Sequence, residues 1–250
     1  MRSDIPAPWR WLLGAVFWVA VWWLASLAVG MSLLIPSPPE VLRRLGELVV
    51  TAPFWRYTLM SLLRITAGLL TGIAAGVIIA VLTSRSALAR ALLAPAVRVI
   101  RATPVASFIL LVLLWTDKNR VPAVIAALVV LPIIWENTCA GLRSVDGDLM
   151  EFARAYRLSR LDTLRHVVVP SMLEHLAAAV CTSIGLAWKS GIAAEVLCTP
   201  LSAIGTQVYH SKLYLDTQSL FAWTLVVILL SMTIERIARR LLLGRKEGRA

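Results

Sequence analysis

Residues 57–83 read YTLMSLLRITAGLLTGIAAGVIIAVLT, an apolar run broken by a single charge, Arg64. A helix crosses the bilayer hydrocarbon in roughly 20 mostly apolar residues, so this run is long enough to span it. Five more apolar blocks follow the same rule, at about 10–30, 104–116 with a few residues added, 120–141, 172–196 and 217–241. The block at 104–116 is short, and Pro104 biases the residue before it away from helix. The expected fold class is therefore all-α, a polytopic membrane helix bundle of about six transmembrane helices forming one domain over residues 1–250.

Composition agrees with lipid as the main solvent. The chain is 59% hydrophobic and 16% charged, with mean hydropathy +0.78, against about 25% charged in soluble domains. Its net charge is +11. The basic residues lie in short stretches between apolar blocks rather than on one exposed face, which argues against nucleic acid as a partner. The first block, Trp11 to Gly30, is longer than a signal-peptide core of about 7–15 residues and reads as a retained span. Cys139, Cys181 and Cys198 are isolated in or beside apolar stretches, show no metal-ligand spacing, and read as packing residues.

Charge sets the expected orientation. Arg2 and Arg10, then Arg85, Arg90, Arg98 and Arg101, then Arg143, Arg154, Arg157, Arg160 and Arg165, and finally Arg236, Arg239, Arg240, Arg245, Lys246 and Arg249 all fall on one side of a six-span chain. The positive-inside rule assigns that side, with both termini, to the cytoplasm. The opposite loops carry fewer cations: Arg43, Arg44 and Arg56, then Lys118 and Arg120, then Lys212. In the first of them, Val41, Leu42, Leu45 and Leu48 follow Pro38 and Pro39 at helical spacing. That spacing suits either a short amphipathic helix on the membrane surface or a packed connector.

The longest polar stretch, residues 143–170, reads as two short helices. Asp148 and Glu151, and again Ser159 and Asp162, have the spacing of an N-cap with an acidic residue three positions on. Leu149, Phe152, Ala153 and Tyr156 form one apolar stripe, Leu161, Leu164 and Val168 continue at helical spacing, and Pro170 is expected to end or kink the second helix. Such a pair suits docking in a groove of a partner, and equally suits packing on its own spans.

Glu151-Phe152-Ala153, Arg157 and Val167-Val168-Val169-Pro170 resemble the EAA loop of ABC-importer permeases, whose pattern is E-A-A, three residues, G, nine residues, then I-x-L-P. The resemblance extends from Leu34-Ile35-Pro36-Ser37-Pro38 through Ser61-Leu62-Leu63-Arg64-Ile65 to Gly141-Leu142-Arg143-Ser144-Val145-Asp146, and is greatest to the sulfonate, taurine and nitrate branch. It implies the type I importer fold in a bacterial inner membrane. It also implies ATPase subunits docked on a cytoplasmic coupling loop, an extracytoplasmic substrate-binding protein and a second permease copy, with a homodimer favoured. The coupling residues it implies are Glu151, Phe152, Ala153, Tyr156, Arg157, Leu161, Val169 and Pro170. Two of them depart from the pattern. Phe152 makes a larger knob than Ala. Arg157 stands where the family turn uses Gly, and a non-Gly residue at positive φ is uncommon, so either the turn differs or Arg157 adds a polar contact to the partner.

No G-x-x-x-x-G-K-[ST] phosphate loop occurs, so no cofactor is expected on this chain and ATP is expected on the partner ATPase. No catalytic or metal site is expected either. A lipid-modifying membrane enzyme is the alternative, but His166, His175 and His210 form no ligand motif, and no span carries an evident acid/base pair of carboxylates. An ATP-independent channel or carrier would be supported by inverted repeats, and none is evident.

Within the spans, Glu136, Asn137, Lys189 and Glu195 are the costly residues, at about 2.5–3.5 kcal/mol for a charge at the bilayer centre. Trp188-Lys189-Ser190-Gly191 adds small residues suited to close helix approach or to lining a path. Lys189 could face the pathway and attract an anion. Pairing with Glu136 or Glu195 is the favoured expectation, because buried charges are usually matched. Arg64 is expected to snorkel, and Glu174 and His175 to sit at the interface.

Overall fold

The computed structural model describes residues 7–145 and 147–242. Arg2, Asp146, Arg245, Lys246, Arg249 and both termini lie outside the described residues. The described residues form helices and no strands: α1 (Ala7–Val29), α2 (Pro38–Val49), α3 (Ala52–Arg85), α4 (Ala87–Ala102), α5 (Val105–Trp115), α6 (Val121–Arg143), α7 (Gly147–Ala155), α8 (Arg160–Thr163), α9 (Val169–Cys198), α10 (Ile204–Leu213) and α11 (Thr217–Leu242). Among them, α1, α3, α6, the helical course into α9 and α11 are each long and apolar enough to cross a membrane, and the bent pair α4–α5 makes up to six.

The bundle centres on α3, α6 and α9. Gly68, Gly72 and Gly76 lie along one face of α3, and α6 runs parallel against it. A Cβ at Gly68 would stand 2.2 Å from the Ala123 carbonyl oxygen, and one at Gly72 2.7 Å from that of Ala127. Hydrocarbon gives helices no hydrophobic reason to associate, so backbone contact through small residues does the packing. The antiparallel α9 closes on both, with Trp188 donating from Nε1 to the Val227 carbonyl of α11 at 3.1 Å. Phe54, Ile65, Ile134, Trp188, Ile204 and Trp223 fill the centre.

Three features depart from the sequence expectation. The arginine-rich connection before the third span is an amphipathic helix, α4, with Ala94 and Val97 buried. Thr103 is extended at ψ 132, as a residue preceding proline must be, and the chain bends there by 111° into α5. With 11 residues, α5 is about 16 Å long at 1.5 Å per residue, about half the hydrocarbon thickness, so the third span is no single straight helix.

Pro170 does not end a helix. The segment Leu164–Val168 is π-helical, and the Val169 N–H bonds to the Leu164 carbonyl one residue further back than in an α-helix. The wider turn makes room for the proline ring one position on, and the helix runs on through α9. The cap expected at Asp148 also shifts, because α7 begins at Gly147 and places Asp148 inside the first turn.

The segment after Ser37 is a packed connector rather than a loose surface helix. Val41 is buried, Arg44 donates from Nε to the Ser219 hydroxyl at 2.8 Å, and its Nη2 lies 3.4 Å from the Asp216 carboxylate. At its start the Ser37 backbone N–H and hydroxyl reach Glu40 at 2.7 and 2.8 Å, holding that carboxyl below its ordinary pKa. The end of α1 is tied to the same region, where Trp22 donates to the Pro36 carbonyl at 3.1 Å and stacks on Phe221.

Candidate functional site

The C-terminal ends of α3 and α6, which carry Arg85 and Arg143, lie together with α4, which carries Arg90, Arg98 and Arg101, and the three make one end of the bundle basic. The loop between α6 and α9 projects from this end. Ala153 of α7 is turned inward and buried, beside a groove of about 900 Å³ lined also by Arg85, Met150, Leu158, Leu161 and Leu164. Phe152 and Tyr156 point the other way, 54% and 69% exposed, with ring centroids 4.2 Å apart. Glu151 is exposed next to them, and Leu161, on the groove side with Ala153, is itself largely exposed. Leaving such rings in water forgoes about 1.5–3 kcal/mol of burial apiece. Among the described residues the loop therefore does not bury its own stripe, apart from Ala153.

Between the two short helices Arg157 takes φ 52, and the Leu158 N–H bonds to the Ala153 carbonyl at 2.9 Å. This is a Schellman turn with arginine at the left-handed position where glycine is usual. The turn thus keeps the glycine geometry without the glycine. Ser159 caps α8, accepting from the Asp162 N–H at 3.1 Å and donating to its carboxylate at 2.6 Å. Val169 is half-buried and Pro170 exposed, both at the base of α9 and away from the loop's tip. Replacing Arg157 with Gly is expected to stabilise the turn by about 0.5–1 kcal/mol, the left-handed penalty less glycine's unfolded-state entropy. Hydrogen exchange of the α7 amides would slow accordingly; unchanged or faster exchange would contradict it.

At the opposite end a buried polar cluster joins α3, α9 and α10. Glu195 is fully buried and accepts from Arg64 Nη1 at 2.8 Å, from the Ser61 hydroxyl at 2.8 Å and from the Gly205 N–H at 3.1 Å. Ser61 in turn accepts from the Ile204 N–H at 2.9 Å, and Arg64 Nη2 donates to the Leu201 carbonyl at 3.1 Å. Asn119 fixes Leu201 from the other side, accepting its N–H at 2.8 Å. Gly205 is required by proximity, since a Cβ there would lie 2.4 Å from that of Glu195. Arg64 is 9% exposed and does not snorkel.

The pairing expected for Lys189 is not formed. Glu195 pairs with Arg64 and Glu136 with Arg101, while Lys189 is exposed on α9 and has no ion-pair partner among the described residues. Asn137 bonds along its own helix to the Ile133 carbonyl at 2.8 Å. The sequence reading missed Arg64 as the partner of Glu195; the available signal was that both lie toward the same end of their spans.

A family profile described as binding-protein-dependent transport system inner membrane component matches residues 72–244. The SsuC permease protein of Escherichia coli, named for aliphatic sulfonates, is 30% identical over 83% of this chain and 82% of its own length. The taurine transport system permease protein TauC of the same organism is 23% identical over 91% of this chain and 88% of its own. A solved amino acid ABC transporter, crystallised with histidines, superposes with a TM-score of 0.61 at 18% identity, covering 76% of this chain and 91% of that one, and shares the fold.

Proposed function

The chain belongs to the binding-protein-dependent transport system inner membrane component family, in its sulfonate, taurine and nitrate branch, and from that premise we propose how its two ends work. It is a multi-pass permease subunit of an ABC importer, a transport component and not an enzyme. In our reading the basic end and both termini face the cytoplasm. ATPase subunits, which alone bind the nucleotide, dock on the loop 143–170. The observation that carries this is the exposed Phe152–Tyr156 ring pair beside Glu151, an aromatic anchor with a charge at its rim, left exposed by the described residues. Ala153 and Arg157 set the angle of that anchor, Leu161 lines the groove behind it, and Val169 and Pro170 pass its movement into α9 from the π-helical segment.

The solute is a small organic anion of the sulfonate class, delivered by an extracytoplasmic binding protein to a pathway between two copies of this chain. The unpaired Lys189 supports a pathway role over a structural one. Lys189→Ala is expected to cut uptake about tenfold, the equivalent of ~1.4 kcal/mol, with unchanged thermal stability. Lys189→Arg should keep most of the uptake. A destabilised but active Lys189→Ala protein would return the residue to a packing role. The function itself is tested in proteoliposomes holding the permease, its ATPase and its binding protein. Taurine or alkanesulfonate uptake should require ATP, and uptake that proceeds without the ATPase would overturn the proposal.

A further inference from the structure

The coupling loop and the Lys189 pathway leave the space between α4 and α6 unused. A cavity of about 390 Å³ opens there at the basic end, and its walls bring four arginines, Arg90, Arg98, Arg101 and Arg143, against one carboxylate, Glu136. Arg101 is paired with Glu136, and Arg90 is engaged by the Thr83 carbonyl at 3.0 Å. Arg98 and Arg143 have no ion-pair partner among the described residues. The cavity therefore keeps a surplus of positive charge that its own residues do not neutralise. Guanidinium groups match the oxygens of sulfonate, phosphate and carboxylate in paired hydrogen bonds.

A second cavity of about 300 Å³ shares Arg101 and Pro132 with the first and reaches α5 and α9. Its lining is apolar apart from Arg101 and Thr103, with Phe108, Leu128, Ile133 and Leu186 among the walls. Charge at one end and hydrocarbon at the other is the arrangement of a site for an amphiphile, mostly apolar with a few convergent polar groups.

We propose that the paired cavities between α4, α5, α6 and α9 bind an organic anion carrying a single apolar tail, its head among Arg98, Arg101 and Arg143 and its tail against Phe108 and Leu186. An alkanesulfonate has this chemistry as a whole molecule, and an anionic phospholipid presents it through its headgroup and one of its two acyl chains. Identifying the occupant with the transported solute rests on the functional reading above; binding as such rests on the cavities alone.

The chain supplies its own reporter, because Cys139 lines the first cavity and is half-buried there. With Cys181→Ser and Cys198→Ser, the full permease–ATPase complex in phosphatidylcholine nanodiscs carries Cys139 as the permease's only thiol. Hexanesulfonate is expected to slow modification of Cys139 by a neutral maleimide several-fold. Methanesulfonate, which has the head without the tail, should protect less, and hexylammonium not at all. Arg98→Gln, which breaks no pairing, should weaken hexanesulfonate protection about tenfold. Protection in phosphatidylglycerol nanodiscs alone, with hexanesulfonate inert, would keep the site and give it to lipid. Absence of protection in both arms, or full protection in Arg98→Gln, would overturn the proposal. ATP-driven sulfonate uptake persisting in that event would leave the transport reading intact.

Discussion

Replacing Glu195 with Ala is expected to destabilise the subunit by about 3–5 kcal/mol, because it strands Arg64 as a buried charge without its partner. The loss goes beyond one ion pair. The Ser61 hydroxyl and the Gly205 N–H also lose their acceptor, so the contact holding α10 against α9 and α3 opens at the same time. Thermal unfolding of the detergent-solubilised complex would show a large fall in Tm and reduced accumulation in membranes. Arg64→Leu should cost a comparable amount from the other side. In the double variant, Arg64→Leu with Glu195→Ala, the two losses should fall well short of adding, since neither charge is then left unpaired. Strict additivity would mean that the pair is not coupled in the folded protein. A single Glu195→Ala variant with unchanged Tm would remove the cluster from the account of stability.

Why was this cluster only half legible? Glu195 stood out in the sequence because a carboxylate in an apolar run is costly, and so did Arg64. Their partnership depends on the register of α9 against α3 across a separation of 131 positions. Local spacing carries no record of that register. Lys189 illustrates the same gap from the other direction: it was matched to Glu136 and Glu195 by type, and the packing gave both carboxylates to arginines. The spans themselves were legible because hydrocarbon demands long apolar runs. The block read at 172–196 became Val169–Cys198, and that at 217–241 became Thr217–Leu242. The third block, read at 104–116, became Val105–Trp115, too short to cross alone, and the stretch ahead of Pro104 is a helix on which Arg90, Arg98 and Arg101 gather on one face. The π-helical segment before Pro170 had no sequence signal beyond the proline itself.

The second large effect is expected at the loop. Glu151→Arg should lower ATP-driven uptake by about two orders of magnitude, since reversing a charge at a docking rim sets like charges together at a cost of several kcal/mol. The substitution lies on an exposed helix face, so the subunit should still insert and keep its Tm. ATP hydrolysis by the complex should lose its dependence on loaded binding protein. Glu151→Gln, which removes the charge without reversing it, should fall between the two. Normal uptake by Glu151→Arg would separate this carboxylate from coupling, and a collapse of Tm would recast it as a structural residue.

The most direct measurement places one thiol on the ring pair, as Tyr156→Cys in a permease with Cys139, Cys181 and Cys198 replaced by Ser, and asks what a short bifunctional reagent joins it to. The structure turns this position outward on the only loop of any size at the basic end among the described residues. The expected product is a covalent adduct with the ATPase subunit, formed on inside-out vesicles and suppressed by adding Glu151→Arg. Labelling of the same thiol by an impermeant reagent on intact cells, or failure to capture any ATPase, would contradict the reading of this loop as the transmission between nucleotide and pathway.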